Sequence, residues 1–128
     1  MTKKILIVED ENIVALGIKK ILRSTGYLVP GIASTGPDAI DRAAKTYPDL
    51  VLMDITLKGE MNGIETADEI TRRWHIPVIF VTAYSDMHIL ESGELKTPAG
   101  YIRKPFSEKE LLNAVENVVG PAEPPCLE

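Results

Sequence analysis

The sequence predicts a single α/β domain in which helices cover both faces of a five-stranded parallel sheet. Short, continuously apolar runs, typical of strands buried on both faces, alternate with amphipathic stretches that have helical spacing. The chain has 128 residues, which suits one domain with one core. Because crossovers between parallel strands are right-handed, the alternation favours a doubly wound sheet.

The first quarter of the chain begins with a buried strand and ends with an edge strand. The apolar run Ile5 to Val8 is the first strand, and a helix over Asn12 to Thr25 follows it. Gly26 ends that helix. The next strand, over 28–33, contains Pro30, which cannot donate a ladder hydrogen bond and therefore belongs at a sheet edge.

The second helix has a start signal and a predicted buried face. Ser34 or Thr35 can cap it, and Pro37 falls in its first turn. The apolar positions follow helical spacing and predict a buried stripe of Ile40, Ala43, Ala44 and Tyr47.

Three further strands and three further helices complete the alternation. They are a strand over 50–53 followed by a turn-rich loop over 56–63, a third helix marked by Ile64, Ala67, Ile70 and Trp74, a strand over 78–81, a short helix and loop over 86–100, and a strand over 101–102 followed by a helix that begins at a capping box, Ser107 to Glu110. The sequence thus predicts five strands and five helices in total.

Polar side chains stand at four of the predicted strand ends. An edge position for the second strand gives the order 2-1-3-4-5, so that the first and third strands are neighbours at the switch in winding direction. Ligands bind beyond the carboxyl ends of the strands at such a point. The side chains expected there are Glu9, Asp10, Asp54, Thr82 and Lys104.

Composition excludes several classes of function. The formal net charge is −5 at pH 7, which argues against direct binding to nucleic acid. The single cysteine, Cys126, permits no internal disulfide. No apolar run approaches the length of a signal peptide or a membrane span, so we expect a cytoplasmic domain with no membrane contact.

Residues 3–119 resemble the receiver domain of two-component response regulators, a family with a flavodoxin-like fold that is also found in chemotaxis regulators. The resemblance depends on four motifs in order, each on its expected strand end: Ile5-Leu6-Ile7-Val8-Glu9-Asp10-Glu11, Leu52-Met53-Asp54, Val81-Thr82-Ala83, and Lys104-Pro105-Phe106 with Tyr101 upstream. Any one motif is weak evidence, whereas the four together indicate a functional site.

The resemblance implies a role for each of these side chains. Asp54 is the expected phosphoacceptor, and Lys104 and Thr82 are expected to contact the phosphoryl group. Tyr101 corresponds to the aromatic switch residue, and the Lys104–Pro105 bond to one that is usually cis. The expected ligands of Mg²⁺ or Mn²⁺ are Glu9, Asp10, Asp54 and the backbone carbonyl of Thr56.

Elementary chemistry agrees with these roles. Carboxylates packed together repel one another and raise at least one pKa, and a hard divalent cation relieves that repulsion. Phosphoryl transfer also needs charge stabilisation on the transferred oxygens, which Lys104 can supply as a point charge and Thr82 as a hydrogen bond. The last two strand–helix units, over 82–119, are the expected switching face.

Three departures from the family pattern concern details of the site. The first acid is Glu9, where aspartate is common, and its extra methylene favours water-mediated metal contact. The loop from Asp54 to Gly63 is one position longer than expected and lacks the frequent proline. Thr56 and Tyr84 occupy positions that tune phosphoryl lifetime, and an aromatic Tyr84 predicts slow self-dephosphorylation by shielding the acyl phosphate from water.

Three other classes of domain are alternatives to a phosphoacceptor domain. A magnesium phosphatase with an aspartyl nucleophile needs an acid two residues later, where this chain has Thr56, so turnover of free substrates is not expected. A flavin-binding domain needs a phosphate loop where the acidic segment 9–12 stands. A receiver-like interaction module that is never phosphorylated stays open as the alternative.

The domain is expected to span residues 1–120, with 121–128 as a flexible tail or linker stub because of its three prolines. The expected partner is a sensor histidine kinase or a histidine phosphotransfer protein. Similar domains commonly form homodimers through their last helices, so this face is the candidate for a homodimer contact here.

Overall fold

The computed structural model describes residues 2–57, 59–83 and 99–122. They form five strands and four helices, in the order β1 (Ile5–Val8), α1 (Asn12–Thr25), β2 (Ile32–Ala33), α2 (Gly36–Thr46), β3 (Leu50–Asp54), α3 (Gly63–Trp74), β4 (Val78–Ala83), β5 (Gly100–Lys104) and α4 (Glu108–Val119). The fifth helix predicted within 86–100 lies outside the described residues. No helix in the described part of the chain is long and apolar enough to cross a membrane.

All five strands are parallel and lie in the order β2-β1-β3-β4-β5. The predicted doubly wound sheet of order 2-1-3-4-5 is therefore confirmed. In the registers, Val8 pairs with Met53, Asp54 with Val81, and Ala83 with Lys104. These pairings bring the carboxyl ends of β1, β3, β4 and β5 to one edge of the sheet.

Two apolar cores lie on opposite faces of the sheet because side chains alternate along each strand. On β1, for example, Leu6 and Val8 face one core, whereas Ile5 and Ile7 face the other. Helices α2 and α3 cover the first core, and α1 and α4 cover the second. Every residue of β1 and β3 is buried, which explains why these strands are continuously apolar in sequence.

The helix ends follow local sequence signals. Gly26 ends α1 in the left-handed conformation with a φ of 118°. Thr35 caps α2 by accepting a hydrogen bond from the Asp38 amide. Ser107 and Glu110 form the predicted capping box of α4.

The predicted stripe of α2 was wrong at two positions. Tyr47 is exposed because the helix ends at Thr46 and the backbone of Tyr47 turns left-handed, with a φ of 47°. Ala44 is also exposed, and the buried side of α2 is formed by Ala39 and Ala43 with Ile40 partly buried.

The second strand is shorter than predicted. Only Ile32 and Ala33 form β2, and Leu28 makes a single isolated bridge to Lys4. Pro30 lies between these two contacts and has no amide hydrogen to continue the ladder. Its predicted position at the edge of the sheet is confirmed.

Candidate phosphoacceptor site

Asp54 occupies a crevice at the carboxyl edge of the sheet. It is the last residue of β3, and only 4% of its surface is exposed. Its Oδ1 atom accepts hydrogen bonds from the Thr56 amide at 3.1 Å and from the Thr56 hydroxyl at 3.2 Å. These two bonds restrain the rotation of the carboxylate, so its Oδ2 atom faces the side chains that follow the neighbouring strands.

Lys104, the last residue of β5, extends its ammonium toward the carboxylates of Glu9 and Asp54. Its Nζ atom lies 3.1 Å from Glu9 Oε2 and 3.9 Å from Asp54 Oδ2. Burial lowers the pKa of Lys104, but the negative charges of Asp54, Glu9 and Glu11 outweigh that effect and raise it. The ammonium therefore stays charged throughout the physiological pH range. The Lys104–Pro105 peptide bond is cis.

Glu9 follows β1 and is almost completely buried. Burial, together with the negative charge of Asp54, raises the pKa of its carboxyl to about 7. The Lys104 ammonium and the Glu11 amide, which donates to Glu9 Oε1 at 3.2 Å, oppose that rise only in part. Among the described residues, the crevice thus concentrates more negative charge than the Lys104 ammonium balances.

The donor set fits a hard divalent cation. Glu9, Asp10 and Asp54 each offer one carboxylate oxygen, and these oxygens lie within 4.8 Å of one another. Carboxylate oxygens are the ligands that Mg²⁺ prefers in proteins, and a cation there would relieve the excess negative charge. The three carboxylates predicted to bind the metal are therefore close together. That the Thr56 carbonyl also points to the metal stays a prediction.

The two predicted switch residues lie on neighbouring strands. Thr82, on β4, is fully buried and its hydroxyl donates to the Ala83 carbonyl at 3.2 Å. Tyr101, on β5, is 57% exposed, so its ring points away from the core. Their role as switch residues stays a prediction.

Sequence reasoning missed the role of Gly63. A Cβ atom at this first residue of α3 would collide with the backbone carbonyl oxygen of Asp54 and lie 2.8 Å from the Cα of Ile55. The Gly63 amide also donates to the Ile55 carbonyl at 3.0 Å. Gly63 thus lets the loop return directly beneath the acceptor. The Asn62-Gly63 pair, at the end of the predicted turn-rich loop over 56–63, was the available signal.

The loop that precedes Gly63 is anchored at both ends. Ile55 and Leu57 are buried in the core under α2 and α3, and Asn62 forms a capping box with Glu65. Lys58, within this loop, lies outside the described residues. Tyr84, which is predicted to set the lifetime of the phosphorylated state, also lies outside them.

Comparisons with known proteins agree with this geometry. The family model for the response regulator receiver domain matches residues 5–116. The transcriptional regulatory protein PdtaR of Mycobacterium tuberculosis is 33% identical over 117 residues, which are 91% of this chain and 57% of PdtaR. The phyllosphere-induced regulator PhyR of Methylorubrum extorquens is 35% identical over 107 residues, which are 83% of this chain and 39% of PhyR.

Two solved structures share the fold over nearly their whole length. The N-terminal domain of a response regulator/sensory box/GGDEF three-domain protein from Carboxydothermus hydrogenoformans superposes with a TM-score of 0.83 at 41% identity, covering 91% of this chain and 94% of that one. The signal receiver domain of a modulated diguanylate cyclase from Desulfovibrio desulfuricans gives 0.85 at 32% identity, covering 93% and 94%.

The chain spans about half the length of the curated relatives that it matches, or less. The matched part contains every strand end that forms the crevice, from Glu9 after β1 to Lys104 on β5. The chain therefore belongs to the family of response regulator receiver domains, which act in two-component signalling.

Proposed function

We propose that Asp54 accepts a phosphoryl group from a phosphohistidine of a sensor histidine kinase or a histidine phosphotransfer protein. One observation carries the proposal: a buried carboxylate at a strand end lies beside two further carboxylates and 3.9 Å from an ammonium. A buried carboxylate beside two other carboxylates lowers the stability of the fold. A phosphoryl acceptor nevertheless needs this combination of a nucleophile and nearby charged groups.

In the proposed step, a carboxylate oxygen of Asp54 attacks phosphorus in line with the bond to the histidine nitrogen. The new phosphorus–oxygen bond forms as the phosphorus–nitrogen bond breaks, and the electron pair stays on that nitrogen. The leaving group is a neutral imidazole when its other nitrogen carries a proton. The two hydrogen bonds from Thr56 hold the attacking carboxylate in one orientation.

Glu9, Asp10 and Asp54, with the Thr56 carbonyl, would hold Mg²⁺ or Mn²⁺ at this site. When bound, the cation neutralises charge on the carboxylates and on the phosphoryl oxygens. The chain supplies a second positive charge through Lys104, whose ammonium is already poised between Glu9 and Asp54. Thr56 stands two residues after the acceptor and cannot act as a general acid, so we propose no turnover of free substrates.

We propose that the conformational response to phosphorylation begins at Thr82. A phosphoryl group on Asp54 offers the Thr82 hydroxyl a charged acceptor in place of the Ala83 carbonyl, and hydrogen bonds to charged acceptors are the stronger. Movement of Thr82 would leave space inside the domain for the Tyr101 ring, which is exposed on the surface in this structure. The face that carries Tyr101 and α4 is our candidate for the homodimer contact.

Two side chains are proposed to set the lifetime of the phosphorylated state. Thr56 contacts Asp54 directly, and Tyr84 stands two residues after Thr82 in the sequence. Shielding by Tyr84 predicts that Tyr84→Ala shortens the phosphoryl half-life, followed by intact mass after removal of the donor. An unchanged half-life would eliminate the shielding role.

Incubation with acetyl phosphate or phosphoramidate and Mg²⁺, followed by intact-mass measurement, tests the proposed function. The wild type should gain one phosphoryl group, and Asp54→Asn should gain none. Absence of an adduct with every donor would instead favour an interaction module that is not phosphorylated. Sustained release of phosphate from unrelated esters would indicate a phosphatase.

A further inference from the structure

The chain that follows the last helix folds back onto the domain. Helix α4 starts just beyond the carboxyl end of β5 and returns along the sheet toward its amino edge. Gly120 then adopts a φ of 85°, which glycine tolerates without steric cost, and Pro121 cannot continue the helix. Val119 and Ala122 both pack against the core that α1 and α4 cover. The described end of the chain is therefore held against the amino edge, on the far side of the sheet from the crevice.

Tyr27 contacts this segment through its hydroxyl group. Only 2% of the residue is exposed, and the hydroxyl donates to the Gly120 carbonyl at 2.9 Å, across 93 positions of sequence. Burial raises the pKa of Tyr27, the negative charge of Glu116 adds to the rise, and a backbone hydrogen bond from Ala122 opposes it. The hydroxyl thus remains a donor at neutral pH and lies between two backbone groups of the exit segment.

The backbone of Tyr27 is held as firmly as its ring. Its amide donates to the Leu22 carbonyl at 3.0 Å, in the glycine turn that ends α1, and both side chains share one core. The next residue, Leu28, donates to the Lys3 carbonyl at 2.9 Å and accepts from the Ile5 amide at 2.8 Å. The hydroxyl therefore stands on a support that joins α1 to β1.

We propose that Tyr27 is a positioning residue that keeps the end of α4 and the exit segment 120–122 rigid, whether or not Asp54 carries a phosphoryl group. The inference rests on the proposed function, since it concerns the response to phosphorylation of Asp54. Thr82 and Tyr101, where that response is proposed, lie on β4 and β5, whereas the support of the anchor is α1 and β1. A movement could reach residue 122 only by breaking a buried hydrogen bond and withdrawing Ala122 from the core. A partner that responds to phosphorylation must then contact the 82–119 face directly and is not pulled by the exit segment.

Relaxation of ¹⁵N in the unphosphorylated protein tests the anchor. The amides of Gly120 and Ala122 should have order parameters of about 0.85, as in a rigid backbone, and Tyr27→Phe should lower both below about 0.6. The matched control is Tyr47→Phe, at an exposed tyrosine after α2, which should change neither value. A loss of global stability alone leaves these values unchanged as long as the spectrum shows a folded domain. Low order parameters in the wild type, or unchanged ones in folded Tyr27→Phe, would overturn the proposal.

The same measurement in the presence of acetyl phosphate and Mg²⁺ tests whether the anchor persists, with intact mass reporting the phosphoryl adduct. Gly120 and Ala122 should keep order parameters of about 0.85 in the phosphorylated wild type. A fall to the values of Tyr27→Phe on phosphorylation would show that the exit segment is released, and would overturn the proposal. A failure of the proposed function is distinguishable, because the adduct would then be missing while the unphosphorylated protein still decides whether Tyr27 is an anchor.

Discussion

Replacement of Glu9 by glutamine should change how the stability of the domain depends on pH. The carboxyl of Glu9 has a pKa near 4.5 in an unfolded chain and about 7 in the folded domain, because burial and the charge of Asp54 disfavour its ionised form. Between these values the folded domain keeps a proton that the unfolded chain has lost. The free energy of unfolding of the wild type must therefore fall as the pH rises from 4.5 to 7, and this loss is absent from Glu9→Gln.

The pKa difference sets the size of the effect. A change from 4.5 to about 7 corresponds to about 3 kcal/mol. Below pH 4.5 the carboxyl is neutral in both states and makes no pH-dependent contribution. Above pH 7 it is ionised in both states, and the full difference is present. Relative to the wild type, Glu9→Gln should thus gain about 3 kcal/mol between pH 4.5 and pH 8.

Urea unfolding in chelator-containing buffer measures this difference. Trp74 packs partly buried against the core and gives a fluorescence signal for unfolding. The control is Glu60→Gln, which removes a carboxylate from an exposed loop position and should track the wild type. Wild-type and Glu9→Gln stabilities that run parallel from pH 5 to pH 8 would refute the electrostatic account of the crevice.

Three further substitutions and one control substitution test how the scaffold holds the site. Gly63→Ala should destabilise the domain by about 2 kcal/mol in a urea titration, because the added methyl collides with the Asp54 backbone. The control is Gly17→Ala on α1, where a Cβ has open space, and it should be neutral or stabilising by up to about 1 kcal/mol in the same titration. Tyr27→Phe removes the hydroxyl that donates to the Gly120 carbonyl at 2.9 Å and should cost about 1 kcal/mol, read from the urea midpoint. Ser107→Ala removes the cap of α4 and should cost about 1 kcal/mol, with a drop in melting temperature; an unchanged melting temperature would contradict the capping role.

The sheet was predictable because its determinants are local and repeat along the chain. Continuous apolar runs mark β1 and β3, which are buried on both faces, and Pro30 marks the edge strand. Once the order of the strands is known, the positions of the polar residues at their ends follow. That is why Glu9, Asp10, Asp54 and Lys104, which the structure brings together, could be assigned to one crevice from the sequence.

Features that depend on exact backbone paths were not predictable. Tyr47 fits the apolar period of α2, but a left-handed turn at that residue places its ring in solvent. The requirement for glycine at Gly63 arises from the approach of a carbonyl nine residues earlier in the chain, which no local pattern encodes. The preference of Lys104 for Glu9 over Asp54 likewise depends on differences in distance of less than 1 Å between side chains from three strand ends.

The most direct test of the central claim is chemical trapping of the phosphorylated residue. After treatment with acetyl phosphate and Mg²⁺, borohydride reduces an acyl phosphate on an aspartate to the alcohol, homoserine, and peptide mass spectrometry locates the change. The phosphoacceptor role of Asp54 predicts homoserine at position 54 of the phosphorylated wild type and no conversion without the donor. Phosphorylated protein in which the trapped residue is any other carboxylate, or in which position 54 remains aspartate, would contradict it.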